Sequence, residues 1–169
     1  MGTFIERVVA RKMTISDYMY FVLLAIAAGF VSIVSFIYFE WYGLIITGLV
    51  SFGAWQLSTF RYIEYEYSVV ENELDIDKII YKKRRKKVVS IDIKNISEMN
   101  ALENRIILLN EKNNKKIYAC SSLNSNGIYY IKTKTEKFGN VTVFFEPDEV
   151  MLAKIKLYMP KSTFDNLKK

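Results

Sequence analysis

Two long apolar stretches, residues 18–39 and 41–60, lie on either side of Glu40, and they constrain what this chain can fold into more than any other feature. Neither stretch contains a charged residue. The apolar core of a bilayer is about 30 Å thick, and a helix of roughly 20 residues crosses it. The pattern therefore predicts a membrane α-helical hairpin at residues 17–60, with one span in each stretch.

The charges that flank these stretches predict the orientation of the hairpin. Arg7, Arg11 and Lys12 precede the first stretch and Arg61 follows the second, while the turn carries only Glu40. Lys and Arg next to membrane helices are retained in the cytoplasm. We therefore expect a cell-membrane protein with two spans and with both termini in the cytoplasm.

Residues 1–16 are expected to form an interfacial amphipathic helix ahead of the first span. Their apolar residues share one helical face: Phe4, Ile5, Val8 and Val9. Thr14 and Asp17 have the spacing of a capping box, which predicts that the first membrane helix begins at this point. A frayed tail is the alternative for residues 1–13.

Small residues recur at steps of three and four along one face of each predicted membrane helix. They are Ala25, Ala28, Ser32 and Ser35 in the first helix, and Thr47, Ser51, Ala54 and Ser58 in the second. Helices in lipid associate by close van der Waals approach, which small side chains permit. We expect the two faces to pack against each other within one chain, and a seam between copies in a homo-oligomer is the alternative.

After residue 60, apolar and polar residues alternate, as is typical of strands. Seven strands are expected, near residues 61–70, 73–81, 86–94, 105–110, 116–120, 128–135 and 141–145. A longer link separates the third and fourth strands at residues 97–104. An amphipathic helix with Pro147 at its first position is expected to end at Pro160, and residues 161–169 form a basic tail.

This order of elements resembles the pleckstrin-homology (PH) superfold, specifically the bacterial PH-like domains attached to paired membrane helices. The resemblance covers roughly residues 15–160. It is carried by Tyr65-x-Tyr67-Ser68-Val69, by Glu73-Leu74-Asp75-Ile76-Asp77-Lys78 and by Val89-Ser90-Ile91-Asp92-Ile93-x-x-Ile96. The chain also looks like a family of small membrane proteins from low-GC Gram-positive bacteria. The resemblance implies an α+β domain at residues 61–160, with about seven antiparallel strands in a bent sheet or partly open barrel capped by a C-terminal helix.

The sharpest local motif is an unbroken run of cations, Lys82, Lys83, Arg84, Arg85, Lys86 and Lys87, at an expected turn between strands. The chain has a net charge of +6, and its excess of positive charge lies after residue 60. Such a run attracts the phosphates of an anionic inner leaflet, and the direction of the strands predicts that the turn lies at the membrane-proximal end of the domain. A solvated turn that keeps edge strands from aggregating is the alternative. A position beside the membrane argues against nucleic acid as the partner.

The sequence contains no signature of catalytic or metal chemistry. It has no histidine, and its single cysteine, Cys120, is expected to be a buried small hydrophobe. It has no Gly-rich phosphate loop, no cluster with the spacing of metal ligands and no nucleophile paired with a base, so neither an enzyme nor a bound cofactor is expected. Asp75 and Asp77 are expected to face cations on neighbouring strands.

These features favour a membrane-anchored, non-catalytic binding or scaffold protein that presents a PH-like domain at the cytoplasmic face. Its expected partners are the anionic lipids of the inner leaflet and an unidentified protein. The alternative is a structural or accessory subunit of a larger transport or envelope complex, assembled through the hairpin. Both hypotheses predict the same fold, and they differ in the surface that contacts the partner.

Overall fold

The computed structural model describes residues 4–102 and 115–160 and divides the chain into two compact units. One unit is Lys12–Ile63, and the other combines Met1–Arg11 with Glu64–Lys169. The second unit is therefore built from both sides of the apolar segment.

The unit Lys12–Ile63 contains two apolar helices, α1 (Ile15–Phe39) and α2 (Gly43–Thr59), joined by a 3-10 turn at Glu40–Tyr42. The start of α1 is as predicted, because the Asp17 carboxylate accepts hydrogen bonds from the amide of Thr14 at 2.9 Å and from its hydroxyl at 2.8 Å. By length and composition alone, the helical segment Ile15–Thr59 is apolar enough to cross a membrane. Its most apolar window has a mean hydropathy of 2.5, and only 6% of that window is buried.

The other unit consists of short strands followed by one helix. In chain order the strands are β1 (Ile5–Ala10), β2 (Ile63–Val70), β3 (Glu73–Ile80), β4 (Arg84–Asp92), β5 (Ile96–Ala101), β6 (Lys115–Ala119), β7 (Tyr129–Thr135) and β8 (Gly139–Phe145), and the helix is α3 (Glu149–Tyr158). Sheet 1 has the order β1-β2-β3-β4, and sheet 2 has the order β5-β7-β8-β6. In sheet 2, β6 runs parallel to β8, whereas β5–β7 and β7–β8 are antiparallel.

One apolar core joins the two sheets and α3. Alternate residues of each strand supply it, as the period-two pattern predicts. Its fully buried members include Tyr67, Leu74, Ile76, Ile91, Ile131, Phe145, Met151 and Ile155. The carboxylate of Asp148 caps α3 by accepting a hydrogen bond from the amide of Met151 at 2.8 Å. Pro147 therefore precedes the helix and does not occupy its first position.

The predicted interfacial helix over residues 1–16 is wrong for Ile5–Ala10, which form β1. This strand pairs antiparallel with β2 and places Val9 opposite Tyr65. Val9 is 8% exposed, whereas the adjacent Val8 is 49% exposed. The apolar residues fit a helical face as well as a strand, and pairing with β2 selects the strand.

The predicted link at residues 97–104 is wrong at its start, because β5 occupies Ile96–Ala101 and pairs with β7. A register shift between Ile96 and Glu98 interrupts the alternation that marks a strand. The predicted strand at residues 105–110 and the basic tail at 161–169 lie outside the described residues. With β1 and β5, the described residues hold two four-stranded sheets where about seven antiparallel strands in one bent sheet or partly open barrel were expected. The antiparallel prediction is wrong for β6, which pairs in parallel with β8 because the two strands are not consecutive in the chain.

Candidate functional site

The cations of the basic run, Lys82–Lys87, form part of the turn after β3 and the first half of β4, and all of them are exposed. The turn is tight, since the amide of Lys83 donates to the carbonyl oxygen of Ile80 at 3.2 Å. Tyr81 and Lys82 have φ angles of 51° and 54°, in the left-handed region that paired turn residues of hairpins adopt. Lys82 and Lys83 are thus held at the tip of the hairpin.

The tip lies at the end of sheet 1 where the chain passes to and from the apolar helices. β1 ends at Ala10, which pairs with Glu64 near the start of β2. β2 and β3 are neighbours joined only by Glu71–Asn72, and so short a connection makes them antiparallel. β3 therefore ends, at Ile80, at the same end of the sheet as Ala10.

The register of β3 and β4 shifts between Ile76 and Asp77, where Val88 is an extra residue of β4. This bulge reverses the alternation that begins at the buried Val89, and it divides the cations of β4 between the two faces of sheet 1. Arg85 and Lys87 lie on the outer face, opposite the core. A nitrogen of Arg85 lies 2.6 Å from an oxygen of Glu66, and another lies 4.0 Å from Asp77. The amine of Lys87 lies 2.8 Å from a carboxylate oxygen of Asp75. The predicted pairing of the two aspartates with cations on neighbouring strands is confirmed, and Arg85 and Lys87 are engaged within the domain.

Glu66 is the most buried charge of this outer face, with 6% of its surface exposed. Burial raises the pKa of its carboxyl group, and the charge of Arg85 lowers that pKa, with a net shift upward. The ion pair therefore offsets part of the cost of keeping a carboxylate out of water.

Arg84 and Lys86 lie on the opposite face of sheet 1, which is continuous with the core. The register of β3 and β4 places Lys86 directly opposite Lys78 and Arg84 opposite Ile80. Side chains directly opposite each other in an antiparallel pair have Cβ atoms only about 5 Å apart. Two like charges therefore face each other across β3 and β4.

Further positive charge lies beside this pair. Burial lowers the pKa of Lys78, and the positive charges of Arg11 and Lys86 lower it further. Within residues 4–102 and 115–160, none of Lys78, Arg84 and Lys86 forms an ion pair. Sequence reasoning missed Lys78, although its place two residues after the buried Ile76 was the signal that puts it on the inner face.

The small residues of α1 and α2 contribute unequally to the contact between the helices. Ser35 is 4% exposed, and its hydroxyl donates to the carbonyl oxygen of Gly43 at 3.3 Å and lies 3.5 Å from the hydroxyl of Thr47. Sequence reasoning missed Gly43, although a glycine directly after the aromatic turn was a signal of close approach. A Cβ atom there would lie 2.9 Å from the Cα atom of Phe36, so the backbones of the two helices almost touch.

Further along the same pair of helices, an open groove of about 350 Å³ separates their surfaces. It is lined by Phe21, Leu24, Ala25, Ala54, Trp55, Ser58 and Tyr62. Ser32 donates to the carbonyl oxygen of Ala28 within α1 at 2.8 Å, and Ser51 is exposed. The structure thus brings Ser35 and Thr47 together, while Ala25, Ala54 and Ser58 border a groove.

A cleft of about 530 Å³ lies between β4 and the turn that joins β7 to β8. Its charged residues are of both signs: Glu73, Asp92 and Glu136 against Lys87, Lys134 and Lys137. Because the two signs are interspersed, the cleft has no net preference for an anion or a cation.

Cys120 is buried, as expected. Burial, and secondarily the nearby charge of Glu146, raises the pKa of its thiol to about 11. Glu146 is held in place because one of its oxygens accepts hydrogen bonds from the amide of Ser121 at 3.1 Å and from its hydroxyl at 2.8 Å. The thiol is therefore protonated at neutral pH, the state in which it is a poor nucleophile.

Comparison with known proteins gives one family. The family described as a bacterial PH-like domain (DUF6106) matches residues 1–165, which include β1 and the apolar helices as well as the two sheets and α3. No curated protein and no solved structure matches the chain.

Proposed function

Because this chain belongs to the family of bacterial PH-like domains, we propose that it is a membrane-anchored, non-catalytic binding protein. α1 and α2 anchor it in the cell membrane, and the two sheets with α3 form the PH-like domain at the cytoplasmic face. The domain recruits a protein partner, and its basic turn contacts the anionic lipids of the inner leaflet.

The observation that carries the proposal is the pairing of Ala10 with Glu64. These residues lie on the two sides of the apolar segment Ile15–Thr59, yet they are neighbours in one sheet. A segment whose two ends meet in one sheet must return to the side of the bilayer from which it started. This supports a hairpin with two spans and an even number of crossings.

The dimensions and flanks of the helices agree with that arrangement. The 25 residues of α1 and the 17 of α2 correspond to lengths of about 37 and 26 Å at 1.5 Å per residue, near the thickness of the apolar core of a bilayer. Trp41 in the turn is 90% exposed, as suits an aromatic residue at the membrane interface. The opposite end of the helical pair is flanked by Arg11, Lys12 and Arg61. These cations favour the cytoplasm for that end.

The lipid contact rests on the cations at the tip of the hairpin. Lys82, Lys83 and Arg84 are exposed, and no residue of the described ranges forms an ion pair with them. Each such cation contributes about 1 kcal/mol next to an anionic surface. Arg85 and Lys87 contribute less, because Glu66 and Asp75 already neutralise them.

A fluorophore at the tip tests the lipid contact in the full chain. We expect a label on Lys82→Cys, in a Cys120→Ser background, to be quenched by spin-labelled headgroups more strongly in phosphatidylglycerol nanodiscs than in phosphatidylcholine nanodiscs. The difference should fall as salt is added, because ions screen exposed charges. A label on Glu71→Cys, in the turn at the opposite end of sheet 1, is the matched control. Equal quenching at residue 82 in both lipids would contradict the contact.

The groove between α1 and α2 favours a second candidate function, that of an accessory subunit whose helices bind those of a transport or envelope complex. The groove is apolar, and small residues such as Ala25 and Ala54 border it, as is typical of sites where another helix packs in lipid. Photo-crosslinkers placed in living cells separate the two candidates. Adducts from positions in β4 and α3 support the recruiting domain, and adducts only from the groove support the subunit or a homo-oligomer.

A further inference from the structure

Sheet 1 separates its charges by face. The carboxylates of Glu66, Asp75 and Asp77 lie on the outer face, where Arg85 and Lys87 pair with them. The inner face carries Lys78 directly opposite Lys86. A direct cross-strand pair of like charges is destabilising, so the fold maintains an arrangement that an added anion would stabilise.

Two further cations lie close to this pair in the fold. Arg84 is two residues before Lys86 on the same face of β4, next to the tip of the hairpin. Arg11 directly follows β1, and its charge acts on Lys78 together with that of Lys86. Lys78 is half-buried, while Arg84 and Lys86 are exposed. A ligand can therefore reach the cluster from solvent and contact a partly desolvated amine within it.

We infer that Arg11, Lys78, Arg84 and Lys86 form a binding site for a phosphate group. Arginine presents a planar fork of N–H donors to phosphate oxygens, and lysine adds a compact charge. A phosphate carries enough negative charge to bridge Lys78 and Lys86 and remove their repulsion. The cluster differs from the cleft beside β4, where charges of both signs are mixed.

The phosphate comes from one of two sources, a lipid headgroup or a free phosphate ester. The lipid source rests on the proposed membrane anchoring, because the cluster lies at the end of sheet 1 where β1 and β2 connect to α1 and α2. The free source does not depend on anchoring. The site itself depends on neither, since it is defined by the register of β3 and β4 and by Arg11 at the end of β1.

Thermal unfolding of the full chain in nanodiscs tests the site. In phosphatidylcholine nanodiscs, inorganic phosphate or glycerol phosphate is titrated against chloride at equal ionic strength. In a second arm, phosphatidylglycerol replaces phosphatidylcholine and no phosphate is added. A stabilising shift in the first arm identifies a free phosphate as ligand, and a shift confined to the second identifies a lipid headgroup.

The comparison of Lys86→Gln with Lys87→Gln gives the decisive result. The two changes remove the same charge from adjacent residues, but on opposite faces of sheet 1. We expect Lys86→Gln to raise the unfolding temperature in the absence of an anion and to weaken the anion response roughly fivefold, the equivalent of about 1 kcal/mol. Lys87→Gln is expected to lower the unfolding temperature, because Asp75 loses its ion-pair partner, and to retain the anion response.

A second variant, Lys78→Gln, lies outside the basic run and is expected to behave like Lys86→Gln. The site would be overturned if the anion response were equal in Lys86→Gln and Lys87→Gln, or unchanged in Lys78→Gln. The anion would then be attracted only by the overall charge of the basic run. This failure is distinct from that of the lipid contact in the proposed function, which is decided by quenching at residue 82. The two experiments use different residues and different readouts.

Discussion

At the scale of single residues, neighbours along β4 with the same charge have opposite surroundings. Arg85 lies against the buried carboxylate of Glu66, whereas Arg84, one residue earlier, lies on the face of Lys86 and Lys78. Removing a positive charge from the outer face leaves a carboxylate without its cation. Removing one from the inner face relieves the repulsion between cations. Stability should therefore respond with opposite signs to equal changes at adjacent positions.

Replacing Arg85 by glutamine is expected to destabilise the protein by roughly 1 kcal/mol at neutral pH, because Glu66 loses the cation that offsets its burial. Burial already raises the pKa of Glu66 above 4.5 in the folded state. The folded protein thus binds that proton more tightly than the unfolded chain, and ionisation of Glu66 costs stability as the pH rises above 4.5. Without Arg85 this pKa rises further. The deficit of the variant should shrink as the pH falls from neutral toward 4.5.

Thermal unfolding of the full chain at several pH values measures this deficit, and Arg84→Gln is the matched control. That control removes the same charge from the inner face and is expected to leave stability unchanged or slightly raised. Equal losses in both variants, or a deficit that grows on acidification, would refute the assignment of Glu66 to Arg85.

Cys120 permits a second prediction at this scale. The pKa of its thiol is raised from 9.0 to about 11, which leaves roughly a hundredfold less thiolate at neutral pH than an ordinary cysteine has. We expect a maleimide to label the folded protein at least about a hundredfold more slowly than the unfolded chain. Mass spectrometry of timed samples gives both rates, and rapid labelling of the folded protein would show that the thiol is accessible and ionised.

At the scale of elements, the sequence allowed six of the strands, both apolar helices and α3 to be predicted within a few residues. The period-two pattern of Tyr65, Tyr67 and Val69 predicted β2, and the polar residues of the turns predicted where the neighbouring strands begin. β1 was missed because its partner β2 is far away in sequence, and β5 because its register shift obscures the alternation. Only half of the proposed phosphate site could be predicted from the sequence. The basic run is a local motif, whereas Lys78 comes next to it only through the pairing of β3 with β4.

Paired substitutions in β1 distinguish the strand from a helix. Val9 is 8% exposed and Val8 is 49% exposed, whereas an interfacial helix would place both on one apolar face. We expect Val9→Ser to destabilise the protein by about 2 kcal/mol through loss of buried apolar contacts. Val8→Ser is expected to have little effect. Chemical denaturation in detergent provides the comparison, and equal losses would favour the helix.

The contact between α1 and α2 depends on Gly43. A Cβ atom at Gly43 would meet the backbone of Phe36 at 2.9 Å, while one at Gly48 would meet nothing within 4 Å. Gly43→Ala is therefore expected to cost about 1–3 kcal/mol by overpacking, and Gly48→Ala to be neutral or stabilising because alanine favours helix. Disulfide formation between Ser35→Cys and Thr47→Cys, in a Cys120→Ser background, reports the packing. The yield of this disulfide should fall only in Gly43→Ala. An equal fall in Gly43→Ala and Gly48→Ala would show that the helix contact does not depend on Gly43 in particular.

At the scale of the whole molecule, the apolar helices are an insertion into sheet 1 between β1 and β2. The unit that contains the two sheets is thus completed by residues that precede the apolar segment, and the matching family includes these residues. An N-terminal truncation at residue 17 would remove an edge strand and the buried Val9, and leave β2 with an open edge. The domain is best studied as the full chain.

The insertion also gives the last prediction, which concerns the topology that the proposed membrane anchoring requires. Cysteines placed at Lys12 and at Arg61, in a Cys120→Ser background, are expected to react with a membrane-impermeant maleimide only after the cytoplasmic side is exposed. A cysteine at Trp41, in the turn between α1 and α2, should react in intact cells. Because Ala10 pairs with Glu64, the first two positions cannot lie on opposite sides without breaking sheet 1. Labelling of positions 12 and 61 from opposite faces would therefore contradict the pairing of β1 with β2 as well as the two spans, whereas labelling of all three from one face would leave the sheet intact and place the helices on the membrane surface.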